Sequence, residues 1–341
     1  TMESVRSFKV YFDGQEKDLF RTAFAAFSIK RSFGKNTNLK FTLSAFHTNE
    51  QEKYDIQGQY WLTQTETSEN LGVGTYMEHA RNYLKANVKS FNLAFEHKIK
   101  RHEIKTGLTY RIESIKENSK EYEMRDSSGY SIPHTGEDLM MIYSLKAKNR
   151  LDANRFEAYL QDTWKFSSKG EHTFFTLNYG IRFAHWNFNK ETLVSPRVSL
   201  GIVPAFNHDV TLRFATGLYY QAPFFKELRD TTTINGVTKA TLNNKIKSQR
   251  SIHFIAGFDY RFKMQNRPYK FTAEAYYKAL SNLVPYTVNN VKIVYDASQQ
   301  CSGHALGLDM KLYGEFVPGT DSWISWSVMD TKYNINGKSV P

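Results

Sequence analysis

Apolar and polar side chains alternate with a period of two along much of the chain, most regularly between residues 156 and 228. In Phe175–Phe183 the odd-numbered side chains are apolar or aromatic, and the even-numbered ones are polar or small. Because successive side chains of a strand point to opposite faces, this pattern predicts half-buried strands. The regular runs have about ten residues, as a tilted membrane-spanning strand needs, whereas strands of globular proteins average about five or six.

About twelve such runs follow one another, and no helical period persists between them. The predicted strands are Leu19–Phe33, Leu39–Asn49, Tyr83–Lys98, Glu103–Lys116, Arg155–Phe166, Thr173–Phe188, Thr192–Pro204, Val210–Gln221, Ser251–Phe262, Tyr269–Leu280, His304–Phe316 and Ser322–Tyr333.

Short and long connections alternate between these strands. The short ones, such as Phe33–Thr37 and Met264–Pro268, use the Gly, Asn and Pro residues of hairpin turns. The longer, polar ones are Glu50–Asn82, Glu117–Asn154, Ala222–Gln249 and Ser281–Gly303, and Asn187–Glu191 is a short connection on their side. This alternation predicts an all-β, antiparallel transmembrane barrel wall with short periplasmic turns and long outer loops.

The apolar face of each run is predicted to meet lipid and the polar face to point inward. In Tyr83–Phe95 the apolar positions change parity, which predicts a β-bulge near Lys89–Ser90. Aromatic residues at strand ends are predicted to belong to an interfacial girdle, namely Trp186, Phe188, Tyr219 and Tyr220. The alternative is a soluble β-sandwich whose polar faces are solvated.

The composition narrows the functional classes. The net charge of +11 comes from basic residues scattered singly along strands and loops, so we expect no nucleic-acid partner. A single cysteine, Cys301, excludes an intrachain disulfide framework. His97, His102 and Glu103 lack the spacing of a helical zinc motif, and the paired carboxylates lie in loops. We expect no enzyme, no metal and no cofactor.

Four segments resemble the barrel of TonB-dependent outer-membrane receptors, nearest to the branch with an N-terminal carboxypeptidase-like domain. They are AYLQDTWKF with FTLNYGIRFAHWNF, then SPRVSLGIVPAFNHDVTLRFATGLYYQAPFFKEL, then FTAEAYYKALSNLVPYTVNN, and finally SGHALGLDMKLYGEFVPGTDSWISWSVMDTKY. Together they cover Phe156–Tyr333 in the family's order. The first half of the chain agrees in strand style only.

The resemblance implies a 22-stranded barrel around a plug, located in the outer membrane. Nothing in the sequence resembles the plug, the TonB-contacting box or the closing strand, so residues 1–341 are expected to be part of a barrel. The implied partners are outer-membrane lipid, TonB acting through a plug that this chain lacks and, as an open alternative, a surface lipoprotein over the outer loops.

Inward-facing basic residues are the first candidate site. Arg182 and Arg197 lie five residues either side of the short Asn187–Glu191 connection and are expected at similar heights. The lumen candidates for substrate binding are Arg182, Arg197, Arg213, Arg261, Glu274 and Tyr276. Guanidinium groups match the geometry of carboxylate or phosphate. The alternative is that these arginines anchor a plug or pair with Glu157, Asp259 and Glu274.

Aromatic residues in the predicted outer loops are the second candidate site, because an aromatic platform with polar neighbours can bind glycans or peptides. The candidates are Tyr60, Trp61 and Tyr130. Ordinary packing within the loops is the alternative.

The sequence therefore predicts an outer-membrane receptor barrel for the TonB-dependent uptake of a large or scarce ligand. The first alternative is a plug-less or truncated remnant with a structural or surface-binding role. An enzyme on a soluble sandwich is the second.

Overall fold

The computed structural model describes residues 6–65, 67–126, 139–170, 172–289, 292–335 and 337–340, and almost all of them are in strands. The elements are β1 (Arg6–Phe33), β2 (Thr37–Gln64), β3 (Glu69–Ile99), β4 (His102–Asp126), β5 (Met140–Ser167), β6 (Phe174–Trp186), β7 (Glu191–Val203), β8 (Val210–Gln221), a 3₁₀ turn (Phe225–Leu228), β9 (Arg229–Ile234), β10 (Val237–Leu242), β11 (Gln249–Met264), β12 (Arg267–Leu283), β13 (Tyr286–Asn289), β14 (Lys292–Tyr295), β15 (Cys301–Val317), β16 (Thr320–Ile335) and β17 (Lys338–Val340). No helix of the described residues is long and apolar enough to cross a membrane.

Twelve long strands form one antiparallel sheet in the order β1-β2-β3-β4-β5-β6-β7-β8-β11-β12-β15-β16, and the short β17 follows. The predicted antiparallel wall is therefore confirmed. Each long strand pairs with its neighbour in the chain, or with the next wall strand after an outer connection, as a meander requires.

The predicted short turns join the strands at one end of the wall. Between β11 and β12 the turn consists of Gln265 and Asn266, whose φ angles are 51° and 63°. Two consecutive residues of positive φ make the mirror-image hairpin turn, whose twist matches that of the flanking strands. Gly34 and Gly319 have φ angles of 65° and 76° in two other turns, a conformation that glycine adopts without steric cost.

Two predicted outer loops are largely strands. β2 continues to Gln64 and β3 starts at Glu69, and β4 continues to Asp126 with β5 starting at Met140. The prediction that Glu50–Asn82 and Glu117–Asn154 are loops is therefore wrong for the described residues. These segments lack the apolar–polar alternation because neither face meets lipid, yet backbone pairing between strands needs no apolar face.

The predicted bulge near Lys89–Ser90 was also wrong. The β2–β3 register is unbroken from Thr37 opposite His97 to Leu62 opposite Gly72, and the β3–β4 register is unbroken throughout. Odd-numbered residues face outward along the whole of this part of β3. Apolar Phe91 gives way to Lys89 because the outer face leaves the lipid there, and the inward Ala86 becomes buried, with 8% exposed.

The connections after β8 and β12 form an outer cap, which we define as residues 222–248, 284–289 and 292–300. β10 pairs in parallel with β5 from Thr238 to Ala240. Because β6 ends at Trp186, opposite Arg155, the upper part of β5 would otherwise present an unpaired edge, and β10 covers it.

The outer cap packs on the inner face of the wall and thereby identifies that face. Its buried side chains contact those of β5 and the end of β6 in one apolar cluster of Leu151, Ala153, Trp186, Leu228, Ile246, Val284 and Ala297. Trp186 is 5% exposed and lies beneath the Arg155 guanidinium, so it does not belong to a lipid-facing girdle. Phe188 packs on the same cluster, and Tyr219 also faces inward.

Candidate functional site

The site is built on the inner face of β5–β12, where polar side chains occupy neighbouring rows. Arg182 is opposite Ser195, and Arg197 is opposite Gly180. The two arginines were predicted to lie at the same height, but each lies two residues along the strand from the position opposite the other. They are therefore diagonal neighbours on the two strands. Both line a hollow of about 570 Å³ together with Tyr159 and Tyr219.

Arg182 forms an ion pair with Glu157 of β5. Glu157 is one strand away and on the same inner face, so the contact needs no change in the backbone. The neutralised Arg182 forms one wall of the hollow. The pairing alternative raised from the sequence holds for this residue.

Arg213 lies in a balanced network of charges. Its two terminal nitrogens are 3.0 Å from Glu274 and 3.1 Å from Asp259, and Lys270 is 3.2 Å from the other oxygen of Asp259. Two cations and two carboxylates thus compensate one another. Arg261 lies directly opposite Lys270, at the periplasmic end of this network.

Arg197 differs from Arg182 and Arg213, because it forms no ion pair within the described part of the chain. Its guanidinium lies 4.2 Å from the centre of the Tyr219 ring, and that ring stacks on His253 at 4.2 Å. The stem of Arg197 crosses Gly217, where a Cβ would lie 3.0 Å from Arg197 Cγ. A larger residue at position 217 would displace the arginine.

The same row continues across two further strands. His253 is opposite Gly217, and Lys278 is opposite His253. We call Arg197, His253 and Lys278 the inner basic row. With no carboxylate bound to any of them in the described residues, Arg197 and Lys278 present positive charge to the interior, and His253 lies between them against the Tyr219 ring.

Tyr276 packs over glycine. It is directly opposite Gly307, where a Cβ would lie 2.5 Å from the tyrosine hydroxyl oxygen. Tyr159 covers Gly107 in the same way. Each ring shields the backbone of a facing glycine, so the position of Tyr276 is fixed by packing.

The outer aromatic candidates are not one platform. Tyr60 and Trp61 are consecutive residues of β2, not of a loop, and therefore point to opposite faces. Tyr60 packs over Gly74, and its hydroxyl donates to the Asp126 carbonyl at 3.4 Å. Tyr130 lies outside the described residues.

His253 and Lys278 were not singled out from the sequence, although the pattern places both on the inward face. The strand register can be derived from the sequence by counting residues from each predicted hairpin turn. This count would have identified the residues of the inner basic row as cross-strand neighbours. The described residues contain no group of three His, Cys, Asp or Glu side chains suited to a metal ion.

The fold resembles solved outer-membrane transporters. The RagAB peptide transporter matches with a TM-score of 0.51 and 10% identity, covering 95% of this chain and 37% of that one. RagAB in its open-open state matches with a TM-score of 0.51 and 12% identity, at the same coverages. YddB of Escherichia coli has a TM-score of 0.41 and 11% identity, covering 94% of this chain and 56% of its own.

The chain thus spans 37% to 56% of the length of these structures. No curated protein matches the sequence. The family model described as "TonB dependent receptor-like, beta-barrel" matches residues 5–339. Proteins of this family are outer-membrane transporters and receptors and are not enzymes. The chain belongs to the TonB-dependent receptor family and matches its outer-membrane β-barrel.

Proposed function

We propose that the parent protein takes up a large or scarce ligand in a TonB-dependent manner, and that an anionic group of this ligand contacts the inner basic row. The observation that carries the proposal is the contrast between Arg197 and its neighbours. Arg182 and Arg213 have carboxylate partners, whereas the Arg197 guanidinium rests on Tyr219 with its hydrogen-bond donors available.

A carboxylate or phosphate is the group that such a site would take, because a guanidinium can bind either one through two parallel hydrogen bonds. Tyr219 and the stem of Arg197 present the charge on a pre-organised surface, which lowers the entropy lost on binding. Lys278 lies three strands from Arg197 in the same row and can contact a second anionic group.

Glu274 serves the Arg213 network, and Tyr276 shields Gly307, so we assign both to the structural support of the wall. Arg261 lies beside Lys270, away from the hollow. A plug domain and TonB would act on this wall from within, and a surface lipoprotein is a further proposed partner. The structural similarity to RagAB supports the fold, and because the identity is only 10–12%, it does not indicate the ligand.

The test uses the full-length receptor in its native outer membrane. The depletion of solutes from the medium is compared among cells with the wild-type receptor, with Arg197→Gln, with Lys165→Gln, and with wild-type receptor but inactive TonB. Lys165→Gln removes an equal charge from the inner face at another level. We expect TonB-dependent depletion of an anionic solute, slowed about tenfold by Arg197→Gln, since a hydrogen bond to a charged group is worth roughly 1.5–3 kcal/mol.

Equal uptake by Arg197→Gln and wild type, with equal amounts of receptor, contradicts the assignment of Arg197. The absence of any TonB-dependent depletion favours the structural or surface-binding alternative.

A further inference from the structure

The outward face of β1–β5 carries two rows of cations beyond the lipid-facing part. The upper basic row consists of Lys17, Lys53, Arg81, Lys120, Lys146 and Lys239, which are consecutive partners on six strands. The lower basic row consists of Arg21, Lys85, Lys116 and Arg150, with Asn49 at the β2 position. The two rows are four residues apart along every strand.

The side chains next to the rows show that the rows face outward. Leu145 and Ala147, which flank Lys146, are buried against Ala240 of the outer cap. On β4, Glu117 and Ser119 lie an odd number of residues before Lys120, so they are on the opposite face of the strand, and both are buried. Since strand neighbours point to opposite faces, the cations point away from the interior.

Most of these charges are uncompensated. In the described residues Arg81 binds Asp55 at 2.5 Å and Arg150 binds Asp152, and the other members of the two rows form no ion pair. Like charges directly opposite one another destabilise a strand pair. Three of the five pairings in the upper row join two cations that have no acidic partner, and they cost stability unless an anion lies over them. They are Lys17–Lys53, Lys120–Lys146 and Lys146–Lys239.

The opposite face of the same strands is acidic. Its inward carboxylates are Glu16, Asp18, Glu50, Glu52, Glu117, Glu121 and Glu123. Strands that merely extend into water need no such separation of charge between faces. The basic face is thus directed at whatever surrounds the barrel, and the acidic face points inward.

The distance between the basic rows and the hydrocarbon core indicates what surrounds the rows. The last fully apolar or aromatic outward row consists of Phe27, Leu43, Phe91, Tyr110 and Phe156. The lower and upper basic rows lie six and ten residues beyond it. At about 3.3 Å per residue and a tilt of about 45°, this places them roughly 14 and 23 Å above the hydrocarbon.

Ordinary lipid headgroups do not reach that far, because they add only about 5–7 Å to each side of the hydrocarbon core. A lipid whose headgroup is an oligosaccharide does reach the rows. The upper row spans about 24 Å across six strands spaced about 4.8 Å apart, which accommodates several anionic groups.

We propose that the two basic rows bind the phosphate groups of outer-leaflet glycolipids that carry a phosphorylated oligosaccharide headgroup. Lys and Arg form charge-assisted hydrogen bonds to phosphate oxygens, and the bound phosphates relieve the repulsion within each row. This surface is independent of the ligand site on the inner face.

The test measures the binding of phosphorylated lipooligosaccharide to the full-length receptor in detergent. The variant Lys17→Gln, Lys53→Gln, Lys120→Gln and Lys146→Gln removes four cations of the upper row that have no acidic partner. The control Lys30→Gln, Lys40→Gln, Lys98→Gln and Lys165→Gln removes four inward cations near the periplasmic turns. Circular dichroism and resistance to unfolding in detergent establish that both variants are folded.

We expect the upper-row variant to bind the lipooligosaccharide on the order of several hundredfold more weakly, since each of the four cations near an anionic surface contributes roughly a fivefold gain. The control should bind as wild type does. Dephosphorylated lipooligosaccharide and phosphatidylglycerol vesicles should bind weakly to all three proteins. A second variant, with Lys85→Gln and Lys116→Gln in the lower row, should show a smaller loss.

Equal binding by the upper-row variant and wild type would overturn the proposal, and so would equal binding of the dephosphorylated glycolipid. If an acidic protein co-purifies with wild type but not with the upper-row variant, while no phosphorylated glycolipid is retained by wild type, the rows are a protein-docking surface and the proposal is wrong.

Discussion

Arg229 of the outer cap forms an ion pair with Glu117 of β4. Glu117 is 4% exposed and also accepts a hydrogen bond from Asn149 at 2.9 Å. Burial lowers the pKa of Arg229, and the Glu117 carboxylate places an opposite charge beside the buried guanidinium. This contact fastens the cap to the wall across the edge of β5.

Replacing one member of this pair should loosen the cap. Arg229→Gln leaves a buried carboxylate without its cation, which typically costs about 3–5 kcal/mol. We expect the lower end of that range, because 22% of the Arg229 side chain is exposed. Limited proteolysis of the full-length receptor should show faster cleavage within residues 222–248.

The control is Lys245→Gln, which changes an exposed cation of the same cap. The double variant Glu117→Gln with Arg229→Gln should be less destabilised than the sum of the two single variants, since no charge is left unpaired. Additive effects of the two substitutions would show that the ion pair does not fasten the cap.

Arg213 should matter more for stability than Arg197. Arg213→Gln removes the contacts to Asp259 and Glu274, at a cost of about 1–2 kcal/mol after allowance for the partial exposure of the network. Arg197→Gln loses a cation–π contact worth roughly 0.5–1 kcal/mol. Urea unfolding of the full-length receptor in lipid vesicles measures both. Arg213→Lys should recover only part of the loss, because an ammonium lacks the fork that reaches two carboxylates.

Gly307 should not tolerate a methyl group. In Gly307→Ala the new Cβ would meet the Tyr276 hydroxyl oxygen at 2.5 Å and the Val328 carbonyl oxygen at 2.9 Å. We expect a loss of about 1–3 kcal/mol from overpacking. Gly201→Ala is the matched control on the same face, where the nearest atom would be 3.9 Å away. The midpoint of urea unfolding should fall for the first variant and stay or rise for the second.

The Asp55–Arg81 pair predicts a dependence on pH in the extended β2–β3 hairpin. The Arg81 guanidinium, 2.5 Å away, lowers the pKa of the Asp55 carboxyl below its ordinary value of 3.8. Since the folded pKa is depressed, the pair stabilises the hairpin above about pH 3.8 and loses this effect as the pH falls through the folded pKa.

Carbon-13 NMR of aspartate-labelled receptor should record the titration of Asp55. Arg81→Gln should raise the pKa of Asp55 towards 3.8, while Lys148→Gln should leave it unchanged. An unchanged titration in Arg81→Gln would show that the pair does not form in solution.

The sequence by itself determined the order and number of the wall strands and the outward apolar face. Each membrane-facing strand must alternate apolar and polar residues. The pattern in Phe175–Phe183 and the equivalent runs therefore predicts both that they are strands and which side chains point towards the lipid. The short turns were equally predictable, because the positive φ angles of Gln265, Asn266 and the turn glycines depend only on local backbone geometry.

Only the tertiary structure decided the rest. Beyond the lipid, backbone pairing continues without any hydrophobic pattern, so β2–β5 run far past their predicted ends. The change at Lys89–Phe91 reads as a bulge in one strand but is the edge of the lipid once β3 is aligned with its neighbours. Which arginines are neutralised depends on residues distant in sequence: Glu157 for Arg182, Asp259 and Glu274 for Arg213, and no carboxylate of the described residues for Arg197. Cross-strand register sets those distances, and an alternating pattern along one strand carries no information about the strand beside it.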